Sequence, residues 1–154
     1  MSTPMPFDEL CSLERLRALH DLALQMHPGP QGVLNPGCDE GGLGAAWNAV
    51  GYDELGSAQP HLVFASYVLY YFVTNQCFVE GNKRTGWLAF TAILSRIDLT
   101  VEATQDEVVK FVYDVANKVI PDVRGIMDWA APRLRELEQP PARPDLFGRV
   151  IDLA

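Results

Sequence analysis

The chain has 154 residues, of which 12 are basic and 20 acidic, for a formal net charge of −8. That length suits one domain, and 48% apolar residues against 21% charged can fill one sizeable core, which excludes a disordered chain. The acidic balance also excludes non-specific tracking of nucleic acid or anionic lipid, which needs clustered Lys and Arg, so any phosphate must be held locally.

Cys11, Cys38 and Cys77 are odd in number, widely spaced and free of any Cys-x-x-Cys pair, so neither a disulfide framework nor a zinc site is expected. Reduced thiols and a cytoplasmic location are the expectation. The first residues carry no basic region followed by an apolar run, and the apolar stretch from Leu62 to Val73 falls short of a membrane span.

In chain order, Ser12 stands at an N-cap position before leucines at helical spacing, which predicts an amphipathic helix over 12–24. From Pro28 to Gly44 repeated Pro and Gly predict a long flap without helix, either functional or a solvated connector. Ala45 to Val50 reads as a short helical piece. His61 to Asn75, with Pro60 at its first turn, is apolar on most faces and predicts a core helix. A second core helix follows over about 82–96, carrying Trp87, Phe90, Thr91, Leu94 and Ile97 on one face. Leu99–Val101 is a short extended piece. Thr104 and Glu107 supply an N-terminus for a helix bearing Val108, Phe111, Val112, Val115 and Val119. Asp122 to Leu137 reads as a last amphipathic helix, and a Pro-rich tail begins at Gln139. The expected organisation is an all-α domain over 1–138 with a tail over 139–154.

The loop between the two core helices carries the chemistry. In Phe78-Val79-Glu80-Gly81-Asn82-Lys83-Arg84-Thr85, two cations fall in the first turn of a helix, where the dipole disfavours them by about 0.3–1 kcal/mol each. The arrangement makes sense if an anion binds there. Gly81 lets backbone amides approach a phosphate, Lys83 and Arg84 complete the cradle, and Glu80 can hold an accompanying divalent metal. The alternative is that both cations are solvated charges after an ordinary turn. The three histidines are expected to be structural or exposed, the flap acids Asp39 and Glu40 solvated, and the cluster Tyr67, Tyr70 and Tyr71 part of the core.

The same residues resemble the Fic/Doc (Fido) motif His-x-Phe-x-(Asp/Glu)-(Gly/Ala)-Asn-(Lys/Gly)-Arg, spelled here from Gln76 to Arg84. Lys83 stands where the Doc-type (death-on-curing) branch has Lys and nucleotidyl-transferring Fic enzymes have Gly. The layout from the first helix to the helix through Trp129 is similar, over roughly residues 10–137. The resemblance implies a Fido-type helical bundle with a central helix-loop-helix and a Gly/Pro-rich flap. It implies Mg²⁺ with ATP or another nucleoside triphosphate, with Glu80 at the metal and Gly81, Asn82, Lys83 and Arg84 at the phosphates. Phe78 would anchor the loop. The acceptor it implies is a Ser, Thr or Tyr hydroxyl on a protein, and Lys83 tilts the reaction from nucleotidyl to phosphoryl transfer.

One departure stands out, because the family's general base is the motif histidine and this chain has Gln76 there. A glutamine amide orients a hydroxyl but does not accept its proton near neutral pH, so about 10²–10⁴ fold of base catalysis should be missing. The expectations are therefore a slowed Doc-like transferase or a degenerate member that acts as a binding module; an accidental match on a structural helical domain is the third. No (Ser/Thr)-x-x-x-Glu-(Gly/Asn) inhibitory pattern is present. Restraint by a separate antitoxin peptide, as in toxin–antitoxin pairs, is what the resemblance implies.

Overall fold

The computed structural model describes residues 11–53 and 59–137. Six helices and one small hairpin make up these residues: α1 (Leu13–Met26), α2 (Cys38–Tyr52), α3 (Pro60–Thr74), α4 (Asn82–Ser95), β1 (Leu99–Val101), α5 (Gln105–Ala116), α6 (Val123–Ala130) and β2 (Leu134–Glu136). The fold is all-α in character. The predicted tail over 139–154 lies outside the described residues, and so does the end of the predicted domain at 138.

Local chemistry starts several of these helices as the sequence predicts. The Ser12 hydroxyl accepts from the Arg15 amide, and Thr104 with Glu107 forms a reciprocal capping box. Pro60 sits in the first turn of α3, where its missing N–H costs nothing. Apolar around most of its surface, α3 is the centre of the fold. It packs most extensively on α4 and is flanked by α2, α5 and α6, while α1 lies against α4. Phe64, Leu69, Phe72, Leu88, Phe90 and Ile93 are fully buried between them. A second aromatic group joins α4, α5 and α6, with Phe111 stacked on Trp129 at 3.8 Å and Trp87 edge-on to both.

Four expectations are corrected. First, the flap ends earlier than predicted, because Cys38–Gly44 forms the start of a 15-residue helix. Gly42 in that segment is not a breaker; a Cβ there would collide with the Tyr71 ring and come within 3.1 Å of Phe72, so its bare backbone allows α2 to seat on α3. Second, the last predicted helix stops at Ala130. Pro132 cannot donate to the preceding turn, the chain passes through a short 3-10 turn, and Leu134–Glu136 pairs antiparallel with β1, Val101 facing Leu134. Third, α5 ends at Ala116, so Val119 lies beyond it and is 68% exposed. Fourth, Cys38 and Cys77 form a disulfide across 39 residues of sequence, with Cα atoms 5.2 Å apart. Only Cys11 is a free thiol among the described cysteines; burial pushes it up to about 12 against the pull of Arg15. The expectation of three reduced thiols failed because nothing local in the sequence announces a pairing that the packing of α2 on α3 creates.

Candidate functional site

The motif residues form one loop between α3 and α4. Gly81 stands at the head of α4 with φ +84° and ψ 15°, the left-handed region that a side chain rarely adopts. It offers no side-chain cap, and no acid occupies the first turn of α4. The helix therefore begins with an uncapped positive dipole end, the feature that suits an anion.

The loop is built from both sides. Asn82 closes it, its Nδ2 donating to the Phe78 carbonyl at 2.8 Å and its Oδ1 accepting from the Phe78 amide at 3.0 Å. Phe78 is 2% exposed and stacks on the His20 ring at 3.8 Å. His20 Nε2 lies 2.9 Å from the Glu80 carbonyl. A carbonyl only accepts, so that nitrogen carries the proton. His20, expected to be structural, is the support through which α1 holds the motif loop.

The flap runs antiparallel along the same loop. Gly29 lies against the Glu80 side chain, where an added Cβ would approach Cγ to 2.9 Å. Further along, the Val79 amide donates to the Gly32 carbonyl at 3.1 Å, Val33 bridges to Phe78, and the Leu34 amide donates to the Cys77 carbonyl at 2.9 Å. The Asn35 side chain finishes the run, giving a 2.7 Å hydrogen bond to the Gln76 carbonyl. Beside this run, a cavity of about 290 Å³ opens between the end of α1 and the flap, walled by Asp21, Gln25, Gly29 and Gln31.

The predicted ligand residues occupy different environments. Gln76 is exposed at the mouth of the loop. Glu80 is half-buried. Lys83 places its ammonium 5.2 Å from the centre of the Tyr113 ring of α5. Arg84 is 1% exposed and points inward, its Nη1 donating to the Ala23 carbonyl at 3.3 Å. No basic residue stands in the last turn of α1, and the Arg84 guanidinium supplies a cation to that negative end from α4. Just beyond, the buried Thr85 hydroxyl has no hydrogen-bond partner. The residues fit a divalent ion only in the manner of Mg²⁺ carried by phosphates. Glu80 is a single carboxylate, and among the described residues no group of three acids, His or Cys could hold a metal.

One further group departs from its expectation. Asp39, read as solvated, is 1% exposed; burial resists its charge, yet the Arg17 guanidinium at 2.9 Å and the Glu40 amide outweigh that and hold its carboxyl below the ordinary value. Tyr67, Tyr70 and Tyr71 pack against the core as expected, and their half-buried rings line a cavity of about 550 Å³ between α2, α3 and α6 that no motif residue reaches. The support from His20, the flap pairing and the Tyr113 platform went unread because each joins segments far apart in sequence.

Among the described residues, no helix is long and apolar enough to cross a membrane. No curated protein matches the chain. The family model described as "Fic/DOC family" matches residues 10–94, from the residue before Cys11 to the penultimate residue of α4 and more than half of the sequence. With its all-helical core, its motif loop and this match, the chain belongs to the Fic/DOC family.

Proposed function

We propose that the chain is a Doc-type member that binds a Mg-nucleotide at the head of α4 and transfers a phosphoryl group to a protein Ser, Thr or Tyr hydroxyl, slowly because Gln76 replaces the base. The observation that carries this is the start of α4: Gly81 in the left-handed region, no side-chain cap, no acid in the first turn and Lys83 beside it. Backbone amides and Lys83 form the cradle, and Arg84 acts from behind by fixing α4 to α1. Glu80 would hold Mg²⁺, which supplies charge neutralisation at the phosphates. Exposed beside the flap, Gln76 orients the acceptor hydroxyl. The acceptor oxygen bonds to the γ-phosphorus, the bond to the β–γ bridging oxygen breaks, the nucleoside diphosphate leaves, and the hydroxyl proton passes to water, because Gln76 does not take it.

A second reading, a nucleotide- or protein-binding module without turnover, is favoured by Gln76 itself and by the inward guanidinium of Arg84. The two are separated by incubating purified protein and cell lysate with γ-labelled or α-labelled ATP, alongside calorimetry with Mg-ATP. Transfer predicts γ-label on protein, and loss of at least about tenfold in affinity in Lys83→Ala. Nucleotide binding without label on any protein supports the module, and α-label without γ-label overturns phosphoryl transfer. An antitoxin peptide that lies in the acceptor groove is the partner this reading assigns.

A further inference from the structure

The residue after Gln76 is covalently tied to the head of α2, and the tie sits at one end of the flap. Cys77 contributes to the disulfide through its side chain and receives the Leu34 amide at 2.9 Å and the Asn35 amide at 3.3 Å through its carbonyl. Asn35 also accepts from the Cys38 amide at 3.1 Å, so the last flap residue, the start of α2 and the motif loop meet at one point. Beyond this point, among the described residues, the flap is held by the hydrogen bond from the Val79 amide to the Gly32 carbonyl, which with the Leu34–Cys77 bond makes the Val33–Phe78 bridge, and by the seating of Gly29 on Glu80. Its side chains add little, since Val33 is 45% and Leu34 49% exposed, and Val79 on the opposing loop is 42% exposed. A segment with few buried apolar contacts and exposed hydrogen bonds opens at low cost once its covalent anchor is gone.

We propose that the Cys38–Cys77 bond is a thiol-reducible latch that holds the flap, residues 29–35, along the motif loop, and that its reduction frees the flap and uncovers the Gln76 end of the site. The two cysteines differ in exposure. Cys77 is fully buried, whereas Cys38 is partly exposed and lies 3.8 Å from the Tyr71 hydroxyl. A dithiol reductant attacks the Cys38 sulfur, forming a mixed disulfide and releasing the Cys77 thiolate, which takes a proton. The second thiol of the reductant then displaces Cys38, leaving two protein thiols and one oxidised reductant. The rest of the core does not depend on the bond, because α3 and α4 are joined by their own buried faces. The latch is independent of the reaction proposed above, since it concerns access to the loop and not what is transferred there.

The test is a thiol count joined to residue-resolved hydrogen exchange on the full chain. Protein purified without reductant and then denatured should show one reactive thiol, Cys11, and three after treatment with dithiothreitol. In the oxidised protein the amides of Leu34, Asn35 and Val79 should be protected; reduction, and separately Cys38→Ser, should speed their exchange by at least about tenfold while core amides of α4 such as Leu88 keep theirs. Three thiols before reduction would overturn the proposal. So would flap exchange unchanged by reduction, and so would equal loss of protection in flap and core, which would make the bond a staple of the whole fold.

Discussion

Arg84 distinguishes a cation that faces a ligand from one that holds the protein together, and its truncation can be worked through. In Arg84→Ala the charge-assisted bond to the Ala23 carbonyl is lost, worth about 1.5–3 kcal/mol. Two buried methylenes, Cγ and Cδ, go with it, at about 0.8 kcal/mol each. The Ala23 carbonyl is not orphaned, because it still accepts from the His27 amide at 3.1 Å. The expected loss is about 4 kcal/mol, a large part of the roughly 5–15 kcal/mol that holds a domain folded. With a urea slope of about 2 kcal/mol per molar, the unfolding midpoint should fall by about 2 M. Arg84→Met keeps most of the stem and should lose only the hydrogen bond, about 1.5–3 kcal/mol. Lys83→Ala gives up a contact with Tyr113 worth about 0.5–1 kcal/mol and should shift the midpoint by less than about 0.5 M. Urea unfolding followed by circular dichroism measures all three. If Arg84→Ala unfolds like wild type and instead loses pyrophosphate binding as Lys83→Ala does, the guanidinium faces the ligand and the packing argument is wrong.

Restoring the family's base by Gln76→His should raise γ-phosphoryl transfer by at least about tenfold with little change in nucleotide affinity, measured by label incorporation and calorimetry; no gain with binding intact would leave only the binding module. Thr85→Val removes a buried hydroxyl that has no partner and keeps its shape, so thermal unfolding should show unchanged or higher stability, and a clear loss would mean that the hydroxyl has a role at the head of α4. The folded-state pKa of Asp39 is depressed, so its contribution is present above the unfolded carboxylate value near about 3.9 and disappears as pH falls through the folded value. Arg17→Ala should therefore be less stable than wild type at pH 7, and the two should converge toward pH 2, where Asp39 is neutral in both; a gap independent of pH would show that the pair adds no charge-linked stability.

What the sequence determined by itself is what acts over a few residues. Apolar periodicity gave α1, α3, α4 and α5; the hydroxyls of Ser12 and Thr104 set two of their starts; and the run from Phe78 to Thr85 carried the family motif. What only the tertiary structure decided is what joins distant segments. Arg84 turns inward because α1 ends beneath it without a cation of its own, 61 residues away in sequence. Asp39 is buried because Arg17, 22 residues earlier, meets it, and the motif loop is held by His20, 60 residues before Glu80. The helix from Cys38 through two adjacent glycines forms because α3 offers Tyr71 and Phe72 for a bare backbone to rest on, a reason that local propensity opposes. Capping and periodicity are properties of a turn or two of chain, so a reader of the sequence sees them; which cation is buried and which cysteines meet depend on how helices far apart in the chain come to pack, and the energy that settles this is written only in the assembled core.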